Sequence, residues 1–112
     1  IWRNDPQLLP NDAAIMLEIK KTISNIEYGI QLIKASGSQA ANYLEANEAL
    51  SKKDFQYRIR ICRKETKESN LWLRLSEPTE SELSEKQQLQ QETGELRNIY
   101  TAILNKSLQS TM

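Results

Sequence analysis

Residues Gln31–Leu75 read QLIKASGSQAANYLEANEALSKKDFQYRIRICRKETKESNLWLRL, and this stretch decides the fold. It joins two helical patterns through one start signal, Ser51-Lys52-Lys53-Asp54. The Ser51 hydroxyl can accept from the third helical N–H, and Asp54 brings negative charge into the first turn; a cap of this kind is worth about 1 kcal/mol. Downstream of it, Phe55, Ile59, Cys62, Thr66, Ser69 and Leu73 recur along one helical stripe, flanked by Ile61, Trp72 and Leu75. Upstream, two adjacent arcs are apolar or small: Ile26, Ile30, Ile33, Gly37, Ala40 and Leu44 on one, Leu32, Ser36, Tyr43 and Leu50 on the next. So wide an arc suits a helix that touches several neighbours. Gly29, Ala35, Gly37, Ala40, Ala41 and Ala46 permit close approach, and Gln31, Lys34, Ser38, Asn42 and Glu45 fill the opposite side.

Moving outward, the same logic predicts four helices in one domain spanning 1–112. Pro6, Pro10 and several Asn and Asp make residues 1–11 an irregular arm, on which Trp2 and Leu8–Leu9 are placed to dock. Ile15, Ile19 and Ile23, with Met16 beside them, predict a first helix over about 12–24. Ser24-Asn25-Ile26-Glu27 has the form of a capping box, which would end that helix and start a second over about 26–50. The third runs over about 52–76, where Glu77-Pro78 stops it because the residue before proline is driven out of helical geometry. Thr79-Glu80-Ser81-Glu82 is a second capping box and opens a fourth helix over about 80–108. Its inward positions are Leu89, Thr93, Leu96, Ile99, Tyr100, Ile103 and Leu104, with Gly94 on the outer side. Short connections make sequential helices antiparallel, so the expected fold is all-α: an up-down-up-down four-helix bundle.

Bulk properties narrow the function. Basic and acidic side chains number 15 each, so net charge points to neither nucleic acid nor membrane. The charge is nonetheless segregated. Residues 51–75 hold eight basic side chains against three acidic, whereas residues 76–97 hold six Glu against Lys86 and Arg97. Antiparallel neighbours of opposite charge would attract, within a protomer or between protomers. No run of 18 apolar residues is present, so no membrane contact is expected. A lone Cys62 fits a reducing, cytoplasmic setting and packing as a small core residue. There is no histidine, which removes the usual general base, the usual nucleophile pairs and the usual zinc sites. Asn42, Glu45 and Glu48 lack the Glu-x-x-His pairing of a di-iron bundle. No cofactor and no enzymatic activity are expected.

Two constellations remain. Arg60, Arg63, Lys67 and Arg74 fall within about 60° of one another on a helical wheel, with Lys53 and Lys64 close by. This row is either a phosphate-contacting stripe, a solvated face, or a surface that meets the acidic helix of a neighbour. On the inner side, Arg58 and Glu65 share an arc with Cys62, Ser69 and Trp72. Buried charges need partners, so Asn42, Glu45, Arg58, Glu65 and Glu68 are read as a structural polar network, with Tyr43 and Ser36 as neighbours.

Several motifs together resemble one bacterial family. Gln31-Leu32-Ile33-Lys34-Ala35-Ser36, Ala41-Asn42-Tyr43-Leu44-Glu45-Ala46 and Ser51-Lys52-Lys53-Asp54-Phe55 are similar to successive segments of the proteins related to 23S rRNA intervening sequences. Ile61-Cys62-Arg63-Lys64-Glu65-Thr66-Lys67-Glu68-Ser69 with Trp72-Leu73 resembles that family's I-x-x-K-E-x-x-E-S-x-x-W-L signature. The family pattern has a longer first helix than the dozen residues found here. The resemblance implies a left-handed antiparallel four-helix bundle assembling as a homopentameric ring, with accessory proteins of diversity-generating retroelements as distant relatives. Those rings bind nucleic acid and partner with a reverse transcriptase. No catalytic residue carries over.

The expected function is therefore that of a non-enzymatic, oligomeric bundle binding RNA or another nucleic acid through Lys53, Arg60, Arg63, Lys64, Lys67 and Arg74. The alternative is a protein-interaction scaffold or accessory subunit with no nucleic-acid contact.

Overall fold

The central feature of the fold is a helix that packs along a neighbour on each side. The structure, a computed structural model, describes residues 23–109. Within them lie α1 (Ile23–Asn47), α2 (Lys52–Leu75), a 3-10 turn (Glu80–Glu82) and α3 (Leu83–Gln109). Each long helix spans 24 to 27 residues. At about 1.5 Å per residue they reach roughly 36–40 Å. Three helices, all α and bundled, stand among the described residues. The helix expected over 12–24 and the arm over 1–11 lie outside them, apart from the last two residues of that helix.

The first described residues bring a correction. Ile23, Ser24 and Asn25 already belong to α1, so the Ser24–Glu27 capping box does not break the helix there. Asn25 has other work: it is buried, its Nδ2 donates to Glu77 O at 2.9 Å, and its Oδ1 accepts from Glu77 N at 2.8 Å. One amide thus satisfies both backbone groups of a residue just past the end of α2, where helix carbonyls and connecting peptides lack internal partners.

Contacts between α1 and α2 run in opposite order along the two helices. Asn25 meets Glu77, Ser36 meets Ser69 at 3.5 Å, the Cys62 Sγ donates to Gln39 O at 3.5 Å, and Arg58 Nη1 donates to Asn42 Oδ1 at 3.0 Å. For α2 and α3 the corresponding pairs are Asn70 with Thr93 and Gln56 with Ser107. Both packings are antiparallel.

The start of α2 follows its sequence: Ser51 is extended, and its Oγ accepts from Asp54 N at 3.0 Å. The start of α3 does not. Thr79 is extended, but its hydroxyl donates to Glu82 Oε1 at 2.9 Å, joined by Ser81 Oγ at 3.0 Å, and the chain passes through the 3-10 turn first. Glu82 is buried beneath these two hydroxyls. Across the same connection Lys86 Nζ donates to Ser76 O at 2.6 Å and Arg74 O at 3.1 Å, capping the C-terminal end of α2 from α3. Burial lowers the Lys86 pKa from its ordinary value, and nearby Glu77 opposes that shift.

The core is Leu32, Tyr43 and Ala46 from α1, Ile59, Cys62 and Leu73 from α2, and Leu89, Leu96, Tyr100 and Leu104 from α3, with Phe55, Trp72 and Ile103 packed against it. The expected α2 stripe is buried at Ile59, Cys62, Thr66, Ser69 and Leu73. The α3 face is buried at Leu89, Thr93, Leu96, Tyr100 and Leu104. On α1 only the second arc turns inward, through Leu32, Ser36 and Tyr43; Leu50, expected with them, is fully exposed. The first arc, expected to meet neighbours within the bundle, is open: Ile26, Ile30, Ile33 and Leu44 keep 51, 44, 47 and 66% of their surface.

Candidate nucleic-acid interface

Burying Ile59, Cys62, Thr66, Ser69 and Leu73 turns the opposite side of α2 outward, and the basic residues ride on that side. Lys53, Arg60, Lys64, Lys67 and Arg74 are exposed and Arg63 is half-buried. The cationic row therefore lies on the surface. Arg60, Arg63, Lys64, Lys67, Glu68 and Leu71 line an open depression of about 400 Å³. A second, of about 330 Å³, continues from it into the α2–α3 groove, with Lys67 and Leu71 shared between the two.

That groove adds a residue outside the sequence-based set. Arg97 of α3 lines it beside Arg74, Asn70 and Thr93. No spacing rule on α2 finds Arg97, because it joins the row only through antiparallel packing. Gly94 lies on the same wall, where an added Cβ meets nothing within 4 Å, so the groove floor is open.

The six basic residues differ in electrostatic state. Lys64 is paired with Glu65 at 3.5 Å and Glu68 at 3.6 Å, and these carboxylates raise its pKa, Glu65 most. Among the described residues no ion pair engages Lys53, Arg60, Arg63, Lys67 or Arg74. The ion pairs at this side of the molecule lie within α2 rather than across to the Glu-rich start of α3. Among the described residues, the attraction expected between oppositely charged neighbours is not seen as an ion pair between α2 and α3. Unpaired surface cations hold their full charge for an outside partner.

The expected polar network divides in two. Arg58 joins Asn42 as above and lies 3.8 Å from Asp54 Oδ1, with its guanidinium 5.7 Å from the Tyr57 ring centroid. Asn42 in turn donates to Ser38 O at 2.9 Å. Glu65 and Glu68 gather instead around Lys64. No hydrogen bond or ion pair connects Arg58 with Glu65, and Glu45 is exposed outside both groups.

Gln39 is the buried polar residue that pattern reading passed over. Its Nε2 donates to the Tyr100 hydroxyl, linking α1 to α3, while its Oε1 is buried without a hydrogen-bond partner. Tyr43 stacks obliquely on the same tyrosine, with ring centroids 6.3 Å apart. Cys62 is buried in the core, as its stripe position predicts. No group of three or more Cys, Asp or Glu among the described residues is arranged to hold a metal ion, and no described helix is long and apolar enough to cross a membrane.

Comparison with known proteins adds no relative: no protein-family model, curated protein or solved structure matches this chain.

Proposed function

We propose that the protein is a non-enzymatic helical bundle that binds RNA through the outer face of α2. The observation carrying this reading is the exposed row Arg60, Arg63, Lys67 and Arg74, unpaired among the described residues and extended by Arg97 across the groove. Phosphate contacts of this kind give affinity without sequence preference and release counterions. Lys53 sits apart at the helix start, and Lys64 contributes less because two carboxylates already hold it.

The test is binding to a structured RNA measured by mobility shift across a salt series. Five phosphate contacts, Arg97 counted with the four, correspond to a slope of log affinity on log salt of about −3.5 to −4.5. Replacing Arg60, Arg63, Lys67 and Arg74 together with Ala is expected to abolish the shift, and Arg97→Ala to reduce the slope by about one. Absence of binding at low salt, or indifference to the four substitutions, removes the proposal.

Self-assembly belongs to the same reading, since repeated faces add their affinities. A ring of five and a bacterial source are implied by the resemblance to the intervening-sequence family, and the lone Cys62 fits a cytoplasmic setting. The second reading, a protein-interaction scaffold or accessory subunit without nucleic-acid contact, is favoured by the isoleucines left open on α1. Charge reversal at Arg63 and Lys67 separates the two. Loss of assembly on that reversal, without any RNA binding, supports a scaffold built on α2; assembly kept, again without RNA binding, supports one built on the α1 isoleucines.

A further inference from the structure

The open arc of α1 has an internal order. Ile26, Ile30, Ile33, Gly37, Ala40 and Leu44 alternate spacings of four and three residues, the a/d repeat of a helix that pairs with another helix. Four of the six are large apolar side chains left in solvent. Gly37 interrupts a long helix at a cost of about 1 kcal/mol relative to Ala. Among the described residues nothing requires it: its φ is not positive, and a Cβ built there meets no atom within 4 Å. A glycine with no described neighbour, in the middle of an apolar seam, leaves room for a bulky side chain.

From this we infer that the α1 seam docks on the same seam of a second copy, antiparallel and about a two-fold axis between Ile30 and Ile33. Charge selects the register. Flanking the seam, the positions after Ile26 and Ile33 are Glu27 and Lys34, both exposed. In an antiparallel pair the residues at this position face their own kind. Setting Ile30 level with the partner's Ile33 places Glu27 beside the partner's Lys34, twice. It also places Ile26 over the partner's Gly37, again twice. A slip of one heptad one way sets Lys34 against the partner's Lys34, and a slip the other way sets Glu27 against the partner's Glu27. Parallel pairing sets Gly37 against the partner's Gly37 and Ala40 against the partner's Ala40, leaving a gap while bulky residues crowd each other. Only one arrangement joins opposite charges and puts isoleucine against glycine.

This inference stands independently of RNA binding, because it uses a different helix. An isologous contact closes at two copies. It therefore competes with the five-membered ring, and mass distinguishes them. The experiment is light scattering across a concentration series, with circular dichroism to verify that each variant stays helical. The wild-type chain is expected to approach twice 12.9 kDa. Ile30→Lys and Gly37→Leu are expected to return it to a single chain while keeping its helical signal. Lys34→Glu weakens the dimer by setting like charges against each other, and the double exchange Glu27→Lys/Lys34→Glu restores it. Three results overturn the inference. One is a single-chain mass at every concentration together with a lower unfolding temperature for Ile30→Lys, which would mean that the protein's own preceding residues cover the seam. Another is a mass of five chains. The third is a dimer indifferent to Gly37→Leu and to the charge exchange.

Discussion

The two helices flanking α2 use their side chains in opposite ways. α3 turns Leu89, Leu96, Tyr100 and Leu104 inward with Thr93 as the one small polar residue among them. α1 turns Asn25, Ser36 and Gln39 inward beside Leu32 and Tyr43, and leaves Ile26, Ile30, Ile33 and Leu44 in solvent. The α3 side is held by area removed from water, at roughly 25 cal/mol per Å². The α1 side is held to a larger extent by named pairs: Asn25 with Glu77, Gln39 with Tyr100, Ser36 with Ser69, Asn42 with Arg58. Apolar seams tolerate sliding, whereas a pair of hydrogen bonds exists in one register only. On this comparison α3 supplies stability and α1 supplies alignment, with Ile26, Ile30, Ile33 and Leu44 left out of the described core.

The strongest way to break the comparison is at Leu96, which is buried in the α3 face. Leu96→Ala is expected to cost about 2–5 kcal/mol, the lost transfer energy plus that of the cavity left behind. Urea unfolding followed by circular dichroism measures it. A cost below 1 kcal/mol would mean that α3 is not the apolar anchor.

Asn25 comes next. Its amide serves one donor and one acceptor of the same residue, Glu77. Asn25→Ala is expected to cost about 1–3 kcal/mol, less than the leucine because water can reach the exposed Glu77. Asn25→Asp keeps the acceptor for Glu77 N but loses the donor to Glu77 O, and buries a charge, so it should not rescue the loss. Native-state hydrogen exchange gives the discriminating readout. The start of α1 should lose protection while α3 keeps it, and uniform loss across both helices would contradict the division of labour.

Part of this arrangement was legible in the residues alone. The α2 stripe was readable because one face is apolar or small at each turn and Ser51 fixes the helix start. The outward direction of Arg60, Arg63, Lys67 and Arg74 follows from the same wheel. The inward side of α1 was harder to choose, since its apolar arc is wide enough to offer two seams. Hydropathy favours burying Ile26, Ile30 and Ile33 over Asn25 and Gln39. What decides is the partner surface: Cys62, Ser69, Arg58 and the Glu77 backbone offer polar groups, and those lie 16 to 52 residues away along the chain. Arg97 was hidden for a related reason, because its neighbours in the groove belong to another helix. Asn25 was hidden by its setting in a serine-to-glutamate spacing that reads as a helix start.

The finest prediction uses the two described glycines for which an added Cβ would meet nothing, one on each flanking helix. Gly37 of α1 and Gly94 of α3 both sit within helices, neither has a positive φ, and neither has a neighbour within 4 Å of an added Cβ. Judged inside one protomer they are equivalent, and Ala at either position should stabilise by about 0.5–1 kcal/mol through helix propensity and a less disordered unfolded chain. On the inference drawn above, they differ in what lies outside the protomer. Gly94→Ala should give its full gain at every protein concentration, because its groove is open. Gly37→Ala should give that gain at high dilution and less of it as concentration rises, because its methyl group would meet an isoleucine of the second chain. Unfolding midpoints measured for both variants over a dilution series therefore convert a difference between two helices into a sign. Parallel behaviour of the two variants would show that α1, like α3, finishes its packing within one chain.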